Sequence, residues 1–433
     1  MDEWNKPLPR AFPVVAHGQT VRVLQLSDTH YDPEYTPGSN GDCKDPLCCR
    51  SGPPATEAAK AGKWGYPGKC DIPFRTLESM MQHAANTHQI DMILWTGDLP
   101  PHDMWKSRKE DNVDNLRNTS ALIRKYFPGV PVYPALGNHE AVPSNSFPVK
   151  NPLNLTVQWL YDEVASEWER FLPNATTETI KRGAFYAVKA ADRLKVISLN
   201  TNFCYIYNWW LVYNSTDPED QLQWLVSQLQ ESEDAGEKVL IIGHVPPGYS
   251  ECTKVWSREF HRIVNRYEST ITGQFYGHMH SDEFQVYHDI EDTSRPISVA
   301  YLGPSVTTYI HQNPGYRVYL LDGKHTNATW TVTDHETYVM NVTDANATDE
   351  PKWALEYRAK TAYRLPSLSP TDWSNLISRL SKNDWMFKKF YRYQNKLHPA
   401  GVCDKHCKSM KICNMRAYAD QVLTDCIKQR TTQ

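Results

Sequence analysis

Five short segments of this chain carry side chains able to hold a metal ion. They are Ser27-Asp28-Thr29-His30, Thr96-Gly97-Asp98, Gly137-Asn138-His139-Glu140, Gly243-His244 and Gly277-His278-Met279-His280. Taken singly, each has an ordinary explanation. Asp-x-His is commonly a cap or a solvated loop, Gly-Asp a turn, and Gly-Asn-His a turn with a left-handed asparagine. His-x-His can be an edge-strand pair facing water. Five in succession, each just after an apolar run, point instead to one site. Asp28, His30, Asp98, Asn138, His244, His278 and His280 offer carboxylates, imidazoles and one amide oxygen. That set suits Zn²⁺, Mn²⁺ or iron, and not an all-oxygen calcium cage. It exceeds what one tetrahedral zinc takes. It fits two divalent ions about 3.5–4 Å apart that share a carboxylate, the spacing of two-metal phosphoryl chemistry. Asp98 is the expected shared ligand, because its motif offers one carboxylate and no histidine of its own. Such a pair lowers the pKa of a water held between the ions and presents hydroxide to a phosphorus atom.

The apolar runs that must position these groups are 21–26, 92–95, 132–136, 196–199, 239–242 and 274–276. Each is three to six residues long and most contain β-branched or aromatic residues, as buried strands do. Donors just past the carboxyl ends of strands lie where open α/β sheets place their ligands. Phe74, Leu77, Met81 and Ala84 share one face of a helix between the first two strands. Strands alternating with helices predict βαβ units and a mixed α/β sandwich. Residues 1–20 read as a proline-dotted arm, 21–366 as the catalytic domain, and 38–70 within it as a loop stapled by cysteines. After Pro366 and Pro370 the spacing of Trp373, Leu376, Ile377 and Leu380 predicts a helical C-terminal subdomain over 367–433.

Composition narrows the class. A net charge of -4 argues against a nucleic-acid binder. No run of roughly 18 apolar residues predicts a membrane-spanning helix. Ten cysteines cluster at 43, 48, 49 and 70 and at 403, 407, 413 and 426, with Cys204 and Cys252 between. Disulfides in an oxidising compartment suit this usage, with a zinc knuckle as the alternative for the last four. Seven N-x-[ST] sequons, at Asn118, Asn154, Asn174, Asn214, Asn327, Asn341 and Asn346, point the same way. A lysosomal or secreted glycoprotein is expected. The opening residues Met1-Asp2-Glu3-Trp4 have neither the basic nor the apolar region of a secretion signal, which trimming of a leader or an artificial chain boundary explains.

Asp-x-His, Gly-Asp, Gly-Asn-His-Glu, His and Gly-His-x-His in this order resemble the signature of the calcineurin-like metallophosphoesterases. The resemblance implies their β-sandwich flanked by helices. It also implies one metal site from Asp28, His30, Asp98 and His280, and a second from Asp98, Asn138, His244 and His278. His139 would sit beside the metals and protonate the leaving oxygen. The segments Asp42-Cys43-Lys44-Asp45-Pro46-Leu47-Cys48-Cys49, Trp95-Thr96-Gly97-Asp98 with His102, Tyr133 to Glu140 and Asn313-Pro314-Gly315-Tyr316-Arg317 resemble the acid sphingomyelinase branch, over about Val21 to Cys426. That branch implies two Zn²⁺ ions, sphingomyelin as substrate, and His102 joining His139 near the leaving group. It implies the pairs Cys43–Cys48, Cys49–Cys70, Cys204–Cys252, Cys403–Cys407 and Cys413–Cys426, and a disulfide-locked C-terminal subdomain. The branch carries an N-terminal saposin-like lipid-binding domain, which the arm does not resemble. Hydroxide attack would release phosphocholine, and His139 or His102 would protonate the departing ceramide oxygen.

Substrate delivery has two candidate surfaces. Tyr207-Asn208-Trp209-Trp210-Leu211-Val212-Tyr213 suits either a bilayer interface or packing under a loop. Trp385, Phe387, Phe390 and Tyr391 beside Lys388, Lys389 and Arg392 suit either anionic lipid or a core-facing stripe with a solvated basic face. A monomer in peripheral contact with lipid is expected. The alternatives are a related phosphodiesterase acting on nucleotides, or a catalytically silent lipid-binding protein, which would show a broken donor set.

Overall fold

The computed structural model describes Lys6, residues 20–399 and 401–417, and Cys426; most of the proline-dotted arm lies outside the described residues. In chain order the strands begin with β1 (Thr20–Leu26), β2 (Met92–Trp95), β3 (Val132–Pro134), β4 (Tyr186–Ala191), β5 (Leu194–Ser198) and β6 (Lys238–Ile242). They continue with β7 (Ile271–Tyr276), β8 (Glu283–His288), β9 (Pro296–Leu302), β10 (Gly315–Asp322), β11 (Val332–Met340) and β12 (Trp353–Arg358). Two six-stranded sheets result, ordered β12-β11-β10-β1-β2-β3 and β4-β5-β6-β7-β9-β8.

Each sheet has a parallel half, and that half carries the predicted runs. β1, β2 and β3 are parallel, with Leu26 opposite Trp95 and Trp95 opposite Pro134. β5, β6 and β7 are parallel, with Ile242 opposite Phe275. Strands aligned in direction and register end at one edge, so the loops that follow them emerge side by side. All four residues of β2 are buried, as a strand covered on both faces requires. The sheets meet through aromatic rings: Phe275 on β7 and Tyr301 on β9 lie 4.8 and 5.4 Å from Tyr319 on β10. The predicted helix spans Phe74–Thr87 and buries Leu77, Met80, Met81 and Ala84.

Among the described residues the C-terminal helices Pro370–Lys382, Asp384–Gln394 and Lys405–Asn414 form no hydrophobic core of their own. Ser369 caps the first, accepting from Asp372 N–H, with Pro370 at its first turn. Trp373 then packs 4.3 Å from Phe284 on β8, and Leu376, Ile377, Leu380, Phe387 and Phe390 join the main core. The aromatic stripe of the second helix therefore faces inward, while Trp385 stays 69% exposed beside its basic residues. The ten cysteines form five disulfides, with the pairing Cys43–Cys48, Cys49–Cys70, Cys204–Cys252, Cys403–Cys407 and Cys413–Cys426. Six of the seven sequon asparagines are exposed. Asn346 is half-buried, with its amide accepting from Trp64 N–H and donating to Gly65 O. Among the described residues no helix is long and apolar enough to cross a membrane.

Candidate metal centre

All seven predicted donors, together with His102 and His139, converge at the shared edge of the two sheets. The backbone bends sharply to bring them there. Asp28, His30, Asp98, His278 and His280 all have positive φ, between 39° and 71°, a conformation that is costly outside glycine and that gathers at functional sites. Glycines let the loops touch. A Cβ on Gly277 would stand 2.2 Å from Ser27 Oγ and 2.6 Å from Asp28 Oδ2, and one on Gly97 would stand 2.4 Å from the Gly137 nitrogen.

Three triplets among the described residues have ligand atoms within 4.8 Å of one another: Asp28, His30 and His280; Asp98, His244 and His278; and His30, His102 and His139. Asp98 links the first two, since its Oδ2 lies 3.5 Å from His30 Nε2 and 3.1 Å from His244 Nε2. Its other oxygen accepts from the His139 backbone N–H at 2.9 Å. Asn138 Oδ1 lies 2.9 Å from His244 Nε2, and its amide nitrogen donates to Asn145 Oδ1 at 2.9 Å, which turns the oxygen toward the site.

Imidazole tautomers decide what this cluster attracts. His30 Nδ1 is 2.7 Å from Pro100 O and His244 Nδ1 is 2.7 Å from Thr96 O. A carbonyl oxygen only accepts, so both Nδ1 atoms carry hydrogen and the lone pairs sit on Nε2. His244 Nε2 thus faces the Asp98 carboxylate and the Asn138 oxygen, acceptor against acceptors. His30 Nε2 faces His280 Nε2 at 3.2 Å. At His244 only a cation relieves this, which is the fit expected for a divalent ion, while the His30–His280 pair is a hydrogen bond if His280 carries its hydrogen on Nε2. Without one, the proton is the available cation. Burial opposes a charge on His244, but Asp98 beside it outweighs burial and raises the pKa to about 9. Burial holds the His30 and His280 imidazoles well below their ordinary value. Asp98 is held well below the carboxylate range: burial opposes this, and the His244 and His139 rings outweigh it.

His102 and His139 lie beside the first triplet, with ring centroids 4.1 and 4.9 Å from His30. His139 is buried, its Nδ1 has no hydrogen-bond partner among the described residues, and burial pushes its pKa down to about 4. His102 differs. Its Nδ1 lies 2.8 Å from Asp71 Oδ1, and its ring stacks on Tyr309 at 3.8 Å. Asp71 is one of the residues the sequence does not announce. Another is Glu251, whose Oε2 meets His278 Nε2 at 2.8 Å. Their only sequence signal is a carboxylate next to a half-cystine, Cys70 and Cys252. The stapled loop also braces this side: Arg50 bonds Asp32 and Asp103, the neighbour of His102, at 2.8 Å each.

The chain is similar to known phosphoesterases. Residues 21–282, more than half of the chain, match the calcineurin-like phosphoesterase family, and residues 295–433 match the acid sphingomyelin phosphodiesterase C-terminal region. A sphingomyelin phosphodiesterase of Bos taurus is 48% identical over 399 residues, covering 90% of this chain and 63% of the relative. Sphingomyelin phosphodiesterase 2 of Caenorhabditis elegans is 38% identical over 446 residues, covering 95% and 72%. The acid sphingomyelinase-like phosphodiesterase 3b of Homo sapiens is 33% identical over 435 residues, covering 95% and 91%. The chain spans a little under two thirds of the bovine relative's length. With its donors drawn from both sheets and a match running through the catalytic fold into the C-terminal helices, the chain belongs to the calcineurin-like phosphoesterase family, in its acid sphingomyelinase branch.

Proposed function

We propose that this chain is a zinc-dependent phosphodiesterase that hydrolyses sphingomyelin to ceramide and phosphocholine. One observation carries the chemistry: His244 Nε2, its tautomer set by Thr96, faces the Asp98 and Asn138 oxygens at 3.1 and 2.9 Å. A nitrogen and two oxygens arranged this way bind a borderline divalent ion such as zinc. Asp28, His30, Asp98 and His280 would hold one ion, and Asp98, Asn138, His244 and His278 the other. When bound, such a pair supplies a water of lowered pKa as nucleophile and a positive field for the phosphoryl oxygens.

The chain's own residues supply the rest. Asp71 fixes His102 with Nδ1–H inward to the carboxylate, so that Nε2 can hand a proton to the departing alkoxide while the carboxylate stabilises the imidazolium. His139, kept neutral by burial at mildly acidic pH, is placed to hydrogen-bond the phosphoryl or leaving oxygen.

The substrate class rests on the relatives' names and on the rim of the cleft. Three segments that adjoin site residues carry exposed apolar side chains: Met104 and Trp105 after His102, Tyr207, Trp209, Val212 and Tyr213 after Tyr205 at His278, and Ile310 after Tyr309. Trp209 is 82% exposed. Aromatic side chains in that position suit a lipid–water interface. The disulfides and exposed sequons support a lysosomal or extracellular setting.

Phosphocholine release from sphingomyelin, in detergent micelles and in liposomes at acidic pH, tests the proposal, with Asp98→Ala as control. Release in the wild type that is lost in the variant is expected. Protein that holds metal and cleaves a nucleotide diester but not sphingomyelin would move the assignment to nucleotides.

A further inference from the structure

Lys396 lies just past the second C-terminal helix and is fully buried, yet it makes no ion pair among the described residues. An ammonium group in the interior costs stability, and an apolar side chain of similar size would serve packing better. The backbone is built to turn it inward. Lys396 and Leu397 have φ of 51° and 58°, and Asn313 Nδ2 donates to Lys396 O at 2.9 Å. Its Nζ donates to Ser305 O at 2.9 Å and to Ser305 Oγ at 2.5 Å.

Ser305 passes this restraint to the metal centre. Its backbone N–H donates to His280 O at 3.3 Å, and its Oγ, with one proton to give, lies 3.1 Å from both His280 O and Thr307 O. The next two residues splice the remaining loops together. Val306 N–H donates to Ser27 O at 3.2 Å and Thr307 N–H to Asp28 O at 3.1 Å. Thr307 Oγ1 donates to Asp71 Oδ1 at 2.8 Å, the oxygen that also meets His102. A single side chain from residue 396 therefore holds the segment that orients His280, Asp28 and Asp71.

We propose that Lys396 is a positioning residue for the half of the metal centre containing Asp28 and His280, which makes the C-terminal segment an integral part of the active site. The inference rests on the reading of these residues as metal donors. Partners that orient metal ligands typically contribute about 10–100-fold in metal affinity.

The test measures zinc stoichiometry and stepwise affinity of the full chain, alongside kcat and KM on micellar sphingomyelin. Wild type takes up two equivalents. Lys396→Met, which keeps the volume, is expected to bind one equivalent unchanged and the other about 10–100-fold more weakly. Its kcat falls while KM holds, and added zinc restores the rate. Lys396→Cys alkylated to aminoethylcysteine returns the amine and is expected to recover both readouts. Ser305→Ala cuts the same link from the other end and serves if Lys396→Met does not fold. Two equivalents at wild-type affinity and unchanged kcat in Lys396→Met or Ser305→Ala overturn the proposal. A wild type that takes up no zinc overturns the reading of the site itself, and the proposal with it.

Discussion

His102 Nδ1 lies 2.8 Å from Asp71 Oδ1 and 3.0 Å from Oδ2, and the Asp71 carboxylate also accepts the His102 backbone N–H at 2.7 Å. The imidazole is held by both its ring and its backbone, with only Nε2 left to face the cleft. A buried carboxylate behind a histidine orients the ring and stabilises the proton that it donates. Asp71→Asn and His102→Ala should each lower kcat on sphingomyelin by about 10²–10⁴-fold, the usual contribution of a positioned acid. On a p-nitrophenyl diester, whose leaving group needs no proton, the loss should be far smaller. Steady-state rates on the two substrates, with metal content measured in parallel, check this. Equal losses on both would assign the pair a structural role.

Gly277→Ala should empty the centre without unfolding the chain. The new Cβ would meet Ser27 Oγ at 2.2 Å and Asp28 Oδ2 at 2.6 Å, so the Asp28 carboxylate must move. Overpacking of this kind costs about 1–3 kcal/mol, which a domain of this size survives. Zinc content by elemental analysis should drop while the far-UV circular dichroism spectrum is retained.

His88 and His288 should each contribute stability that grows as pH rises across the mildly acidic range. Burial pushes the pKa of His88 and of His288 down to about 4, against an ordinary value of 6.5. Between about 4 and 6.5 the unfolded chain binds protons that the folded chain refuses, so acid favours unfolding there. This stabilisation is complete above pH 6.5, is lost as pH falls toward 4, and levels off below. His88→Gln, which can keep the bond to Tyr316, should flatten the slope; urea unfolding at several pH values reads it.

Trp209→Ala paired with Val212→Asp should separate lipid access from chemistry. Both side chains are 82% exposed on the rim, and neither touches a donor. Release from liposomes should fall several-fold while release from micelles stays unchanged. A parallel loss in both formats would place these residues in the substrate cleft instead.

The gathering of the candidate donor motifs at one place was legible from the chain because strand and motif are adjacent in it. An apolar run such as 239–242 predicts a buried strand, and the residue after Gly243 must then emerge at the strand's carboxyl end. Asn138 and His139 follow β3 by the same logic. The Cys403 to Cys426 spacing marked a stapled terminus, and Trp373 to Leu380 a helix. What the chain did not disclose are contacts that depend on distant segments meeting. Asp71 reaches His102 and Thr307, 31 and 236 positions away. Lys396 meets Ser305 across 91 positions, and no local periodicity marks a lysine that will be buried. The inward face of the C-terminal helices found its partner in β8 and not in a core of its own. Local pattern determined which residues could bind metal and on which strands they ride. Tertiary packing alone decided how the two sheets pair, because only then do the tautomers, the unpaired lone pairs and the buried charges acquire their neighbours.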